Sequence, residues 1–264
     1  MTVVVVGCGY IGCALAGQLA EAGHEVTGVR RSPDGLERVA AIDDSVEAIR
    51  ADATLPATLE SLPDADTVVF AASAGGRGAD VAREVYVEGL RNVLEEYGMR
   101  ADPPDRLVYT SSTGVYGNHD GGWVDETTPI DPTTAKTRVL ATAETVALSE
   151  ATSYGIDGTV ARFAGLYGPD RYRLERYIEG PVTAGYLNMV HRDDAAGAVR
   201  YLLEADVARG EPVVVVDDEP VDKHAFADWL AAECGVDAPP KQSKAERIAD
   251  GDLSAAAARR IRTS

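Results

Sequence analysis

Lysine is scarce in this chain of 264 residues: only Lys136, Lys223, Lys241 and Lys244 are present, and the net charge is −18. Partners that carry many phosphates need a basic face on the protein, and an acidic surface repels them. We therefore exclude nucleic acids and anionic membranes as partners.

Cysteine and long apolar runs are also scarce. The three cysteines, Cys8, Cys13 and Cys234, fit neither a disulfide framework nor a zinc-ligand spacing, so we interpret them as small buried residues. A histidine and two aspartates within 191–194 could suggest a metal, but aspartates there also suit an ordinary helix start, and we predict no metal site. No run has the length of a transmembrane span and the chain begins directly with a strand pattern, so we expect a cytoplasmic protein.

The acidic composition resembles that of salt-adapted proteins and leads to a first prediction. Because salt screens repulsion between like charges, the thermal midpoint should rise by several degrees between low and molar salt. Calorimetric melting across that range measures the effect. A flat midpoint would mean that the acidity is not an adaptation to salt.

The first thirty residues follow the pattern strand, glycine turn, helix, strand. The β-branched run 2–6 leads into Gly7, Gly9 and Gly12, and a helical apolar pattern follows until a second strand at 25–30. In this context G-x-G-x-x-G is the dinucleotide fingerprint: the first glycine allows the tight turn, the second the approach of a pyrophosphate, and the third close helix packing. The alternative is a purely structural glycine turn.

The end of the second strand indicates which dinucleotide binds. Many NAD-binding proteins have Asp or Glu there for the ribose 2′-hydroxyl, whereas this chain has Arg30, Arg31 and Ser32. Guanidinium and hydroxyl groups pair with a 2′-phosphate, so we predict NADP, with NAD the less favoured cofactor. The alternative is that both arginines form a solvated edge.

Strand and helix patterns continue to alternate through the first 164 residues, which predicts an α/β protein with a doubly wound parallel sheet, the Rossmann fold. We assign 1–164 to the dinucleotide-binding domain, with 191–205 returning to it, and 165–264 to a smaller substrate-binding lobe. The run 255–264 is either a shortened end or a loose tail.

Residues at the strand ends complete the predicted cofactor site. Asp52 is the candidate for the adenine amino group, and the small residues at 71–73 leave room for a flat cofactor. The full predicted set is Gly7, Gly9, Tyr10, Ile11, Gly12, Arg30, Arg31, Ser32, Asp52, Ala53, Ala71, Ala72, Ser73, Thr110, Ser111 and Phe163.

Four segments carry a family resemblance. The stretch TSSTGVYG at 110–117, taken with the N-terminal glycines, resembles the extended branch of the short-chain dehydrogenase/reductase superfamily, which includes nucleotide-sugar epimerases and dehydratases. The segments 162–169, 191–196 and 213–221 are similar to that family's R-x-x-x-x-Y-G-P, H-x-x-D-x-A and late P-V motifs. The resemblance implies a nicotinamide cofactor and a nucleotide-sugar or similar anionic substrate.

One departure concerns the catalytic pair. The family uses a tyrosine followed four residues later by lysine, and none of the eleven tyrosines here has lysine at that spacing. Thr134 and Arg138 have the spacing, but a threonine hydroxyl is far less acidic than a phenol. The resemblance leaves Ser112 as the aligned active-site serine, with Arg138 as a fixed charge and Tyr116 as the nearest phenol.

Each catalytic candidate has a structural alternative. Ser111 and Ser112 could only stabilise their turn, Tyr116 could be a packing residue, and Arg138 could pair with a carboxylate on its own helix surface. For the substrate, we expect four residues to face the cleft and bind an anionic group, unless they only neutralise nearby acids: Arg162, Tyr167, Arg171 and Arg173.

Two functions remain open at this point. The first is an NADP-binding epimerase, dehydratase or reductase that acts on a small anionic metabolite. A homodimer is compatible with this function. The second is a catalytically silent NADP-binding sensor or partner-binding protein.

Overall fold

A computed structural model describes residues 1–76, 78–249 and 260–261. Its strands, numbered along the chain, are β1 (Thr2–Val6), β2 (Glu25–Arg30), β3 (Val46–Arg50), β4 (Thr67–Phe70), β5 (Arg106–Ser112), β6 (Trp123–Val124), β7 (Asp157–Phe163), β8 (Gly165–Tyr167), β9 (Val182–Thr183), β10 (Tyr186–Leu187), β11 (Met189–His191), β12 (Pro212–Val215), β13 (Val221–Asp222), β14 (Lys241–Gln242) and β15 (Arg260–Ile261). The α-helices are α1 (Tyr10–Glu21), α2 (Pro33–Ala40), α3 (Ala79–Arg83), α4 (Gly89–Gly98), α5 (Ala135–Thr145), α6 (Arg192–Glu204), α7 (Lys223–Cys234) and α8 (Lys244–Ala249).

Seven parallel strands form the central sheet, in the order β12-β7-β5-β4-β1-β2-β3. The inner strands β1 and β4 consist almost wholly of Val and Phe side chains with almost no solvent exposure, as expected for strands covered on both faces. The strand order reverses next to β1, as in the doubly wound fold, so ligands are expected at the carboxyl ends of these strands. The predicted fold class is confirmed.

Two groups of helices flank this sheet. In the first, α6 packs along α1, and the Gln18 side chain donates a 2.8 Å hydrogen bond to the Asp193 carbonyl. In the second, α5 packs on the helical run of α3, a π-helical turn (Glu84–Glu88) and α4. The sequence pattern predicts that run as one helix over 79–97, with Val81 on its apolar face, but Val81 is 38% exposed.

More segments of the chain contribute to the central sheet than the domain division predicted from the sequence includes. Besides α6, the strand β12 also returns, pairing with β7 at the edge of the sheet. The buried Arg106 connects this late segment to β5, because its guanidinium donates to the carbonyls of Leu202 and Val207 and to Thr159 Oγ1. The central sheet therefore includes chain segments up to residue 215.

Short strand pairs and α7 build the smaller lobe. The strands pair as β8 with β11, β9 with β14, and β10 with β13, while β15 pairs with β6.

Cys8 is buried as expected, but Cys13 is partly exposed and Cys234 is exposed. Most of the run 255–264 lies outside the described residues. Over the part of the chain that is described, no helix is long and apolar enough to cross a membrane.

Candidate cofactor and substrate site

The glycine turn has the geometry that a bound pyrophosphate needs. Gly7 adopts φ +88°, and a Cβ there would lie 2.3 Å from the Ala72 backbone, so only glycine fits. A Cβ on Gly12 would lie 2.9 Å from the Gly7 carbonyl oxygen, which explains how closely α1 approaches β1. The first turn of α1 thus presents its unpaired N–H groups at the carboxyl end of β1.

A cavity of about 180 Å³ lies at the ends of β1, β2 and β3. Arg31 crosses it: its Nη1 is 3.9 Å from Asp52 Oδ2, and its Nη2 lies 3.2 Å from where a Cβ on Gly75 would be. The Arg30 guanidinium lies beside Gly9, and its Nη1 is 3.1 Å from the position that a Cβ on Gly9 would occupy. Both guanidinium groups therefore border the cavity.

Two predicted cofactor residues have structural tasks next to this cavity. Ser32 Oγ accepts a 3.3 Å hydrogen bond from the Gly35 N–H and is the N-cap of α2. Asp52 Oδ1 accepts from the Thr54 N–H and hydroxyl, at 3.0 and 2.9 Å, which leaves Oδ2 facing Arg31. Gly12 and Ser32 support the walls, whereas Asp52 and Ala53 line them.

The adjoining cavity, of about 360 Å³, continues along the ends of β1, β4 and β5. Its walls bring together the remaining predicted residues, which the chain separates by up to 154 positions: Gly9, Tyr10, Ile11, Ala71, Ala72, Ser73, Thr110, Ser111 and Phe163. The two cavities adjoin each other across the strand ends, since Ala72 and Ser73 line both, and we refer to them together as the trough.

Arg171 of the smaller lobe closes over this trough. Its Cζ lies 4.1 Å from the centroid of the Tyr10 ring, and Arg192 approaches the same ring at 5.6 Å. The Tyr10 hydroxyl donates a 3.0 Å hydrogen bond to the Pro169 carbonyl. Arg171 was predicted to face the substrate cleft, but it lines the trough beside the glycine turn.

Ser112 stands where the trough meets a third cavity, and it lines both. Its Oγ accepts a 3.1 Å hydrogen bond from the Gly114 N–H, capping the turn that follows β5. An oxygen that accepts this bond keeps its own proton available for donation. Ser112 therefore both stabilises its turn and presents a hydroxyl to the cavities.

Of the two residues that have the spacing of the catalytic pair, Thr134 lines the trough and Arg138 does not. Thr134 is the N-cap of α5, its hydroxyl accepting from the Thr137 N–H at 3.1 Å. Arg138 is exposed and donates to the carbonyls of Pro132 and Thr133, so it does not line the cavities and is not the fixed charge of the site. Lys136 and Leu140, which also have the four-residue spacing, do line the trough with Ser112.

Tyr116 and Arg162 lie under the site and not in it. Arg162 donates to Glu144 at 2.8 Å and to the Tyr116 hydroxyl at 2.8 Å, and all three residues are buried. Burial raises the pKa of Tyr116, and the Arg162 charge opposes this only in part. Tyr116 is thus a packing residue of a network in which Ser111 donates to Glu144 at 2.6 Å, and Arg162 does not face the cleft.

The third cavity, of about 650 Å³, opens between the lobes beside Ser112. The charged side chains that line this cavity are basic. The described lining residues include Arg176, Lys223, Lys244 and Arg247 and no Asp or Glu. Burial, with a contribution from Arg176, lowers the pKa of Lys223. Arg173 and Tyr167 do not line this cavity.

The histidine segment at the start of α6 is structural. His191 Nδ1 accepts from the Asp193 N–H as the N-cap of α6, and its ring packs edge-on against Tyr167 with centroids 5.2 Å apart. Within the described residues, no group of His, Cys, Asp and Glu side chains is arranged to hold a metal ion.

Comparisons with known proteins agree with this architecture. The model of the NAD dependent epimerase/dehydratase family matches residues 3–216, so the chain belongs to that family. Protein YeeZ of Escherichia coli K12 is 34% identical over 209 residues, covering 77% of this chain and 73% of YeeZ.

Two solved structures illustrate the shared fold. A Methylobacillus flagellatus protein, provisionally described as an NAD-dependent epimerase/dehydratase, is 29% identical with a TM-score of 0.72, covering 96% of this chain and 92% of that one. A dTDP-glucose 4,6-dehydratase from Streptomyces venezuelae, solved with NAD, is 22% identical with a TM-score of 0.80, covering 100% and 88%. The second likeness concerns the fold alone.

Proposed function

We propose that this family member binds NADP along the trough and acts on a nucleotide-sugar or similar anionic metabolite held in the third cavity. Bound there, the cofactor would supply hydride transfer, as epimerases, dehydratases and reductases use it. The glycine turn and the first turn of α1 would hold the pyrophosphate, with Arg171 above it, and Arg30 and Arg31 would pair with the 2′-phosphate.

The observation that carries the substrate class is the charge of the third cavity. In a chain with a net charge of −18 and four lysines, two of those lysines and two arginines line this one space, next to Ser112. Dehydrating a lysine or an arginine is unfavourable, so such a concentration favours a ligand that brings negative charge. A diphosphate group fits this requirement, and the cavity volume is in the range of small-ligand sites.

The α5 wall lacks the tyrosine that the family normally places there, while Tyr86 lines the same cavity from another wall and its hydroxyl accepts a 3.2 Å hydrogen bond from the Ala74 N–H. The wall formed by α5 carries Thr134, Lys136, Thr137 and Leu140, without a tyrosine. Ser112 would then hydrogen-bond the reacting hydroxyl, and the Lys136 ammonium would supply positive charge beside it. Turnover should be slow, by a factor of about 10² to 10⁴ relative to a site with a positioned phenol.

The absence of a tyrosine from the α5 wall also favours a second candidate, a catalytically silent NADP-binding sensor. The structural features that hold the cofactor do not depend on Tyr116 or Arg138, so binding without turnover is chemically consistent. A homodimer remains a prediction for either function.

Single-turnover measurements of NADPH absorbance with a panel of nucleotide-sugars test the proposal. We expect weak activity that falls further in Ser112→Ala while the NADPH affinity stays nearly constant, because the phosphate contacts lie elsewhere. Lys223→Ala should raise KM for a diphosphate substrate about tenfold with little change in kcat, since one charge-assisted contact is lost.

Lys241→Ala is the matched control, because Lys241 pairs with Asp228 on the surface and does not line the cavity. A fast rate that is insensitive to Ser112→Ala would show that the chemistry lies on other residues. No turnover by any variant, with NADPH binding intact, would favour the silent binder.

A further inference from the structure

Two of the three cysteines lie together inside the glycine turn. Cys8 follows Gly7, Cys13 follows Gly12, and their Sγ atoms are 3.8 Å apart. Cys8 is buried with 1% exposure, whereas Cys13 is partly exposed. Cys13 is therefore the more exposed cysteine of the pair.

We propose that Cys8 and Cys13 form a reversible disulfide, a redox modification site within the dinucleotide-binding turn. The oxidant is a peroxide. The Cys13 thiolate attacks one peroxide oxygen, the O–O bond breaks, and the leaving hydroxide takes up the proton that Cys13 had released, giving water and a sulfenic acid. The Cys8 sulfur then attacks Cys13 Sγ, the S–S bond forms and the S–O bond breaks, and the Cys8 proton goes to the leaving hydroxide to give a second water. The two thiols lose two electrons, and the peroxide gains them.

The surroundings of Cys13 make it the attacking sulfur. A hydrogen bond from the Cys8 thiol lowers the pKa of Cys13 to about 7, and the charges of Arg30, Arg38 and Arg192 act in the same direction against the opposing effect of burial. The same interaction and burial raise the pKa of Cys8. Since the thiolate is the reactive form, oxidation at Cys13 should accelerate as the pH rises through about 7.

Closing the bond must move the turn. A disulfide holds its sulfurs about 2.05 Å apart, so the present separation has to shorten substantially. The backbone of Cys8 is held to β2, because its N–H donates a 3.0 Å hydrogen bond to the Val29 carbonyl. The displacement therefore falls on Gly9 and the first turn of α1. If NADP binds there, as the proposed function requires, the disulfide should weaken its binding about tenfold.

Intact-mass measurement after graded hydrogen peroxide tests the site without reference to function. The full chain should lose the mass of two hydrogen atoms and regain it with dithiothreitol, and peptide mapping should join Cys8 to Cys13. Cys13→Ser should abolish the change, whereas Cys234→Ser should retain it, with thermal midpoints confirming that both variants fold. Formation of only sulfinic acid at Cys13, or linkage through Cys234, would overturn the proposal.

Calorimetry with NADPH on the reduced and oxidised protein then measures the consequence. Weaker binding after oxidation, restored by dithiothreitol and absent in Cys13→Ser, is the expected result. Equal affinity in both states would refute the effect on the turn. A disulfide in a protein that binds no NADPH in either state would leave the modification site established and the proposed function wrong.

Discussion

NADPH should bind at least tenfold more tightly than NADH, and Arg30→Asp combined with Arg31→Ala should remove that preference. Each charge-assisted hydrogen bond to a 2′-phosphate contributes about 1.5 to 3 kcal/mol, and about 1.4 kcal/mol corresponds to a factor of ten. The Arg31 side chain is 57% exposed and borders the cavity, so it can reach a ligand without losing a buried partner. Calorimetric titration with both cofactors at one salt concentration measures the ratio.

Arg38→Ala is the control for the loss of charge alone. Arg38 lies on α2 just beyond Ser32, is exposed, and does not line the cavity, so its removal should change both affinities little. Equal affinities in the unmodified protein, or an NADPH preference that persists in the double variant, would contradict the assignment of the two arginines.

Introducing the family's pair at the positions that face the trough should raise redox turnover by about 10² to 10⁴, the range of positioned acid–base catalysis. The change is Lys136→Tyr with Leu140→Lys, which puts a phenol and an ammonium group on the wall shared with Ser112. The lysine would favour the phenolate, which makes the phenol a better proton acceptor at neutral pH. Single-turnover NADPH oxidation with the substrate that is most active in the panel measures the gain.

The same two residue types at Thr134 and Arg138 are the matched control. They have identical spacing, and Thr134 also lines the trough, but Arg138 lies outside the cavities and Thr134 caps α5. Without an ammonium group on the same wall, this variant should gain little activity, and it should lose about 1 kcal/mol of stability. If redox turnover rises as much in the control as in the variant with Lys136→Tyr and Leu140→Lys, the orientation assigned to α5 is wrong. Adding Ser112→Ala to the active variant should remove most of the gain.

Most of the fold could be predicted from local pattern. Strands β1, β4 and β12 of the central sheet are short valine-rich runs, and a run of that kind has few alternatives when helices alternate with it. Gly7 and Gly12 were predicted for reasons that the structure bears out, because a tight turn and a close helix approach depend only on neighbouring backbone.

The orientation of α5 was harder to predict because one residue of register turns a helix by about 100°. The four-residue spacing of Thr134 and Arg138 does not by itself show which side of the helix the two residues occupy. The signals that fix it were present: Thr134 and Thr137 form a reciprocal cap, and the buried Val139, Leu140 and Ala143 mark the inward face. Lys136 lies one helical turn before these apolar residues and therefore on the same face of α5.

The basic cavity could not be found in the same way. Arg176, Lys223 and Lys244 lie far apart along the chain and come together only through pairing of short strands, which carries almost no local signal. Conversely, Arg162 and Tyr116 looked like site residues because of their motifs, and only the tertiary structure reveals the buried carboxylate of Glu144 that Arg162 neutralises.

The late return of β12 to the central sheet has a consequence for how the chain folds as it is synthesised. The strand β12 and the carbonyls that receive Arg106 lie about a hundred residues after β5, with the smaller lobe between them. On the ribosome, β7 stays an open sheet edge, and the buried guanidinium lacks its acceptors, until residue 215 has emerged. Because long-range parallel pairing is slow, this last strand should limit the rate at which the nascent protein becomes resistant to aggregation and proteolysis.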